Sequence, residues 1–303
     1  GFNNVISAGT PYAQGDGLRM CQAMGADLWH MNVFSGGTSY GVRNVAPDND
    51  AFTAPLVFDY NTNHDFILLN RDGERFAYEE TMFIVKNSMT KRNGTNVWRE
   101  TPSDCFIVFG QNLFDVGSIV YTGGFAAKTP SLNPLMTNQE MLDAGIIVKS
   151  DTVEELAQAL GQDAEKVKAT LDNYNDICEG KTADPFGRGT DWDMFGQSEV
   201  KYEGASFGTT LAAFELQPLS APYYSVSLRT SCTNTEGGPK RSAKGEVLHI
   251  DGTPIPRLYA GGELGNIIAY RYQCGSNFAE ALSSGRLAAR QCAALEPWEQ
   301  AAE

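Results

Sequence analysis

The segment from Ile255 to Leu295 constrains the fold of this chain more than any other. It contains an apolar run at Leu258–Ala260, a glycine pair at Gly261–Gly262, and later a stretch of small residues. This order predicts a strand, a loop whose backbone can approach a ligand closely, and a helix. Asn277 followed by Glu280 is typical of a capping box and predicts the helix start. Because free amides at a helix start favour an anionic or carbonyl-rich ligand, the segment predicts a binding site.

Elsewhere the chain alternates between strand and helix patterns. Apolar runs at residues 66–70 and 105–109 predict strands. Thr152 with Glu155, and then Asp163, predict the N-terminal caps of two successive helices. The second of these helices has an apolar face formed by Val167, Leu171, Tyr174 and Ile177. Together the patterns predict an α+β fold, in which a helix through Leu282, Gly285 and Ala289 packs closely against a sheet.

Composition and charge limit the partners of this chain. A length of 303 residues is enough for about two domains. The net charge of −14 is spread through the sequence, and the nearest approach to a basic patch is a small group at Lys240, Arg241 and Lys244. We therefore expect no nucleic acid as a partner. Six cysteines without CxxC spacing predict no metal site, no apolar run is long enough to span a membrane, and the cellular location is left open.

Several motifs occur in an order that is typical of one family. Residues 258–263 (LYAGGE), 275–277 (GSN) and 285–288 (GRLA) are similar to the C-terminal flavin-binding motif of FAD-dependent oxidoreductases of the fumarate reductase type. That family includes urocanate reductase and 3-ketosteroid dehydrogenases. Residues 15–18 (GDGL) and 70–76 (NRDGERF) resemble two further motifs of the family. The resemblance implies an enzyme with FAD as its cofactor and a small-molecule substrate that carries an activated C=C bond.

The resemblance also implies a domain plan. Residues 1–50 and 226–303 correspond to parts of an FAD-binding α/β domain, and residues 51–225 correspond to an inserted α+β substrate-capping domain. Members of the family begin with a βαβ unit that carries GxGxxG, and this pattern does not occur here. We therefore expect a C-terminal fragment that lacks the unit. The alternative is a natural protein that has lost its nucleotide-binding half. An electron-donor protein or domain upstream is left open as a partner.

The resemblance assigns five residues to the cofactor. Glu263 follows the glycine pair, where the family's glutamate accepts hydrogen bonds from hydroxyl groups of FAD; the alternative is a solvated loop residue. Asp16 matches an aspartate that touches FAD, and it also suits a helix N-cap. Asn277, Phe278 and Ala279 lie at the helix start whose amides face the flavin ring, where they stabilise negative charge. Asn277 is equally well explained as a cap.

The substrate-side positions depart from the fumarate reductase pattern. Where those enzymes carry arginine or histidine side chains, this chain has Gly37, Phe83, Asn234 and Gln273. Because a dianion in a desolvated pocket needs cationic partners, the sequence argues against fumarate as the substrate.

The three residues before Gln273 are the predicted catalytic residues, namely Tyr270, Arg271 and Tyr272. Tyr272 matches a ketosteroid dehydrogenase tyrosine that polarises a carbonyl or exchanges a proton, and the alternative is a packing residue. Arg271 binds a carboxylate or pairs with an acidic loop. The resulting prediction is an enzyme that moves hydride between flavin and a C=C bond conjugated to a carbonyl, in either direction. The alternative is a non-catalytic fragment or binding module with no bound flavin.

Overall fold

The computed structural model describes residues 6–7, 13–32, 38–43, 53–55, 65–76, 79, 89–92, 95–98, 102, 104–115, 117–119, 136–188, 192–193, 210–211, 216–232, 234–267 and 276–297. The helices in these ranges are α1 (Asp16–Ala23), α2 (Gln111–Phe114), α3 (Asn138–Asp143), α4 (Val153–Leu160), α5 (Ala164–Cys178) and α6 (Ser276–Ala293). The strands are β1 (Ile6–Ser7), β2 (Leu28–Trp29), β3 (Thr38–Arg43), β4 (Thr53–Pro55), β5 (Phe66–Leu69), β6 (Met89–Arg92), β7 (Thr95–Trp98), β8 (Asp104–Phe109), β9 (Val148–Ser150), β10 (Trp192–Asp193), β11 (Thr210–Leu211), β12 (Tyr223–Cys232), β13 (Gly238–Pro239), β14 (Glu246–Leu248) and β15 (Pro254–Tyr259). This mixture confirms the α+β class.

The chain divides into two compact units. Unit 1 consists of Gly1, Gly9–Gly37 and Cys232–Glu303, and unit 2 consists of Phe2–Ala8 and Thr38–Ser231. No helix among the residues described above is both long enough and apolar enough to cross a membrane.

Unit 2 is built around a seven-stranded sheet. Its strands are ordered β4-β3-β12-β8-β5, and β1 and β9 also pair with β12. Strand β8 lies between β12 and β5 and is antiparallel to both, so that Phe109 lies opposite Tyr224 of β12 and Phe66 of β5. The strands predicted at residues 66–70 and 105–109 are confirmed as β5 and β8.

Two apolar clusters cover the two faces of this sheet. Successive side chains of a strand point to opposite faces, so β5 contributes Phe66 and Leu68 to one cluster and Ile67 and Leu69 to the other. The first cluster contains Leu113 of α2 and Met141 of α3. The second contains side chains of the α4–α5 pair, namely Leu156, Leu160, Val167, Leu171 and Tyr174. All four residues of β5 are buried because helices cover both of its faces.

The α4–α5 pair forms largely as the sequence predicts. The hydroxyl of Thr152 accepts a hydrogen bond from the amide of Glu155, and the carboxylate of Asp163 accepts one from the amide of Lys166. The four apolar residues predicted on one face of α5 are all buried. The carboxylate of Glu155, however, accepts from the amide of Asp151 and not from that of Thr152, so the predicted capping box is half formed.

Unit 2 also buries a group of four interacting charged side chains. Arg75 donates to the carboxylate of Glu79 at 2.6 and 2.8 Å and to that of Asp184 at 3.0 Å. Arg188 lies 3.7 Å from Glu79 and donates to the carbonyl of Phe66. The four side chains are at most 6% exposed. Two guanidinium groups therefore compensate two carboxylates inside the unit.

Unit 1 contains a hairpin, two helices and a short strand pair. β14 pairs antiparallel with β15 around a turn in which Gly252 adopts a φ of +85°. A small apolar cluster joins this hairpin to α1 and is formed by Cys21, Val247, Ile255 and Ala260. After β15 ends at Tyr259, a loop leads toward α6, which begins at Ser276. The strand and the helix predicted for residues 255–295 are thereby confirmed, and residues 260–267 form the described part of the loop between them.

The packed face of α6 differs from the predicted one. Leu282 is 60% exposed, Gly285 and Ala289 are exposed, and open space surrounds the Cβ position of Gly285. Ser284 instead accepts a hydrogen bond from the amide of Gly262 at 2.8 Å. The face of α6 that lies nearest the rest of unit 1 thus contains Ala281, Ser284 and Ala288, since a Cβ built on Gly262 or Gly245 would lie 3.5 Å from Ala281 or Ala288, respectively.

Candidate cofactor site

Glu263 lies in the loop after β15 and is held by two amide groups. Its Oε1 accepts from Nδ2 of Asn277 at 2.5 Å and from Nδ2 of Asn234 at 2.7 Å. Within the described part of the chain, no hydrogen bond reaches its Oε2, and the side chain is half-buried. Since an ionised carboxylate accepts through both oxygens, Glu263 is fixed in direction and keeps one oxygen for a ligand donor.

Asn234 joins Glu263 to a second carboxylate. Its Nδ2 also donates to Oε1 of Glu236 at 3.1 Å, and Glu236 is 0% exposed. An amide nitrogen carries two hydrogens and can serve both acceptors. Sequence reasoning considered Asn234 only as the loss of a histidine, and no motif indicated Glu236. Their role becomes visible only when residues 29 positions apart are brought into contact.

Two loops of unit 1 meet backbone to backbone, at residues 236–239 and 262–266. Two amides of the second loop donate to carbonyl groups of the first, at 3.2 and 3.3 Å. A Cβ on Gly238 would lie 2.3 Å from the nitrogen of Gly265, and a Cβ on Gly265 would lie 2.0 Å from the carbonyl oxygen of Pro239. Gly265 also has a φ of +70°, which glycine adopts without strain. The contact therefore requires glycine at both positions.

Arg241 is buried beside these loops, with 3% of its side chain exposed. Its Nε donates to the carbonyl of Gly265 at 2.9 Å and its Nη1 to that of Ala260 at 3.2 Å. Its Nη2 donates to Oε1 of Glu280 at 2.6 Å. Arg241 therefore adds no surface charge to its neighbours Lys240 and Lys244, because a carboxylate inside the unit compensates it.

The start of α6 also differs in detail from the prediction. The helix begins at Ser276, so Asn277 lies in its first turn and is not the cap. The predicted capping box with Glu280 is wrong, because Asn277 bonds to Glu263 and Glu280 bonds to Arg241. Phe278 is 70% exposed and Ala279 is exposed. Amides in the first turn of a helix have no carbonyl partner within the helix, and here the side chain of Asn277 attaches that turn to Glu263.

Asp16 is the first residue of α1 and lies near the same loop. The N-cap of α1 is Gly15, which has a φ of +80°, so the interpretation of Asp16 as the cap is wrong. Its side chain is 74% exposed and pairs with Arg19. A Cβ on Gly17 would lie 3.0 Å from the side chain of Leu264, so the start of α1 lies beside the loop that carries Glu263. Contact of Asp16 with the cofactor stays a prediction.

The predicted catalytic residues Tyr270, Arg271 and Tyr272 lie outside the residues that the structure describes, so their roles stay predictions. The same holds for Gly37, Phe83 and Gln273. No group of three or more His, Cys, Asp or Glu side chains in the described ranges could hold a metal ion.

The described residues suit a ligand that carries both hydroxyl and carbonyl groups. The open oxygen of Glu263 accepts from hydroxyl groups, and the first amides of α6 donate to carbonyl oxygens or negative charge. The glycines of the two adjoining loops leave the backbone accessible at close range. FAD has this combination in its ribityl chain and its flavin ring, so the donor and acceptor set fits it.

Two curated relatives are similar to nearly the whole chain. Digoxin reductase of Eggerthella lenta is 25% identical over 300 residues, which cover 94% of this chain and 45% of the relative. Urocanate reductase of Eggerthella lenta is 24% identical over 296 residues, which cover 96% of this chain and 40% of the relative. The chain thus spans less than half the length of these two relatives.

Solved structures and a family model complete the comparison. A 3-ketosteroid Δ1-dehydrogenase from Sterolibacterium denitrificans shares the fold with a TM-score of 0.69 and 21% identity, over 96% of this chain and 49% of that one. An open form of a flavocytochrome c3 fumarate reductase has a TM-score of 0.53 and 21% identity, over 96% of this chain and 42% of that one. The model described as FAD binding domain matches residues 3–279, which include Glu263 and the start of α6. This chain therefore belongs to the FAD binding domain family, and its cofactor is FAD.

Proposed function

We propose that this chain forms the flavin-ring side of an FAD-dependent oxidoreductase that moves hydride between flavin and a C=C bond conjugated to a carbonyl. The observation that carries the proposal is the carboxylate of Glu263, which is fixed by two side-chain amides, one of which attaches it to the first turn of α6. The names of the relatives support the chemistry, because they include reductases of digoxin and urocanate and a dehydrogenase of 3-ketosteroids.

The proposal assigns a separate role to each part of the chain. Residues 1–50 and 226–303 form the cofactor part, and residues 51–225 form the substrate-capping domain. All the described residues assigned to the cofactor lie in unit 1. Unit 2 has its own sheet and its own apolar clusters, which supports an independent domain.

In this proposal the residues of the chain bind the cofactor and orient it. When bound, FAD supplies the acceptor and donor of hydride. Oε2 of Glu263 binds hydroxyl groups of the cofactor, and Asp16 makes a further contact with it. The first amides of α6, at Asn277, Phe278 and Ala279, stabilise negative charge on the flavin ring.

Acid–base chemistry is assigned to the segment before Gln273. Tyr272 polarises the substrate carbonyl or exchanges a proton with the substrate, and the neighbouring residues Tyr270 and Arg271 are assigned to the same catalytic segment, with Arg271 a candidate for binding a carboxylate. Asn234 hydrogen-bonds to two glutamates, and this surrounding disfavours a substrate dianion at that position. The substrate is therefore larger or less charged than fumarate, and the electron donor or acceptor is a separate protein or an upstream domain.

The full-length protein purified with FAD tests the proposal. We expect a bound-flavin visible spectrum, and anaerobic mixing should show oxidation of the reduced flavin by a neutral enone or reduction of the oxidised flavin by the matching saturated ketone. Fumarate serves as the control substrate and should react more slowly. A protein without bound flavin would support the alternative of a binding module, and preference for fumarate would contradict the substrate assignment.

A further inference from the structure

We propose that Arg241 is the positioning residue that holds the carboxylate of Glu263 in place. The inference rests on the proposed FAD site. The guanidinium group reaches one end of the loop at Ala260 and the other end at Gly265, and its Nη2 also lies 3.4 Å from the carbonyl oxygen of Gly262. Glu263 lies between these anchored carbonyl groups, so Arg241 fixes the backbone on both sides of it.

Arg241 also connects this loop to α6. The bond from its Nη2 to Glu280 attaches the loop to the second turn of the helix. Two other hydrogen bonds connect the loop to the same helix: the amide of Gly262 donates to Ser284, and the side chain of Asn277 donates to Glu263. The carboxylate of Glu263 and the first turn of α6 belong to the same proposed site, so their spacing depends on this connection.

Arginine suits this position and lysine does not. A guanidinium group presents five N–H donors in a planar fork, and Arg241 directs them at three carbonyl groups and one carboxylate. A lysine has one nitrogen and cannot span carbonyl groups at both ends of the loop. The apolar cluster that contains Ala260 adjoins the group, so water has little access to replace lost donors.

A double substitution separates positioning from folding stability. Arg241→Met with Glu280→Leu removes both buried charges together, and replacement of a buried ion pair by apolar residues is often neutral for stability. We expect the double variant to fold, with a melting temperature lowered only by the loss of donors to the loop carbonyl groups, and an FAD dissociation constant about tenfold higher, because the loop loses several hydrogen bonds that fix it. Fluorescence titration of the full-length protein with FAD measures the constant without any turnover.

Two further variants keep the test decisive. Lys240→Met is the matched control, because the Lys240 side chain is 47% exposed and its ion pair with Asp27, at 3.6 Å, is weak. The FAD affinity of this variant should stay within about twofold of the wild type. Arg241→Lys keeps the charge opposite Glu280 and should fold even if the double variant does not. Its FAD affinity should still fall about tenfold, as one nitrogen cannot replace the fork.

A double-mutant cycle with Glu263→Gln tests whether Arg241 acts on FAD binding through Glu263. If Arg241 acts by placing Glu263, its substitution should weaken FAD binding by less than about twofold once Glu263 is already changed. Full additivity, or wild-type affinity in the Arg241 variants, would overturn the inference. A wild-type protein that binds no FAD would instead contradict the proposed function, so the two failures are distinguishable.

Discussion

Glu263 and Asp16 are held in very different ways, although both are assigned to the cofactor. Glu263 is half-buried and two side-chain amides fix one of its oxygens. Asp16 is 74% exposed and its contact with Arg19 is a surface ion pair, which contributes little to stability. A pre-oriented acceptor loses less conformational freedom when a ligand binds. We therefore expect Glu263 to contribute more to FAD affinity than Asp16 does.

Tyr272→Phe tests the catalytic assignment at the level of one hydroxyl group. If the phenol polarises the substrate carbonyl or transfers a proton, its loss should lower turnover by roughly 100-fold or more. The flavin-to-protein ratio should not change, because Glu263 and α6 hold the cofactor in our proposal. Tyr223→Phe in β12 is the matched control and should keep wild-type turnover. Unchanged turnover of the Tyr272 variant would remove this residue from the site.

Helix starts in the two units are determined by different forces. At α3 the hydroxyl of Thr137 accepts from the amide of Glu140, and the Glu140 carboxylate accepts from the amide of Thr137. At α6 the residues that suit a cap, Asn277 and Glu280, instead bond to Glu263 and Arg241. The same sequence pattern therefore marks a cap where no distant partner competes, and a tertiary contact where one does.

The capping box of α3 should make stability depend on pH. Hydrogen bonds from the backbone and hydroxyl of Thr137 lower the pKa of Glu140 below its ordinary value of 4.5. The carboxylate therefore contributes stability well above pH 4.5, and this contribution is lost as the pH falls through the lowered pKa. Glu140→Gln should lower the melting temperature at pH 7 and have little effect in strong acid. Glu165→Gln is the control, because no such pair of bonds to Glu165 exists among the described residues. If Glu140→Gln lowered the melting temperature equally at both pH values, the prediction would be contradicted.

The two units are stabilised in different ways. Unit 2 has a sheet covered on both faces by apolar clusters. In unit 1 the buried apolar cluster of the described residues has four members, and polar contacts around Arg241 connect its loops. Unit 2 also contains the buried group of Arg75, Glu79, Asp184 and Arg188. Each buried charge in such a group is compensated by an opposite charge. If one charge is removed, the desolvation cost of its partner is no longer compensated and the folded state is destabilised.

Glu79→Gln tests how strongly unit 2 depends on this group. The substitution leaves two buried arginines with one carboxylate, and we expect a loss of about 3–5 kcal/mol in the free energy of unfolding. Lys168→Gln breaks an ion pair whose side chains are 60% exposed and should lower the free energy of unfolding far less. Denaturant titration of both variants gives the comparison. Equal losses in the free energy of unfolding would show that the buried group contributes no more to stability than an exposed ion pair does.

Local sequence patterns predict much of this molecule. The strands β5 and β8, the caps of α4 and α5 and the apolar face of α5 follow from residues that are close in the chain. The polar network of the cofactor site does not, because its partners are far apart. Arg241 and Glu280 are 39 positions apart, and each alone resembles a residue of a solvated surface. Only the folded chain shows that they compensate each other.

The backbone contact between Gly265 and Pro239 limits how this protein can be redesigned. Since neither loop leaves room for a single methyl group on the other, a replacement loop taken from a relative must match its partner in length and in glycine placement. Grafts intended to change substrate preference should therefore transfer residues 236–239 and 262–266 together as one cassette.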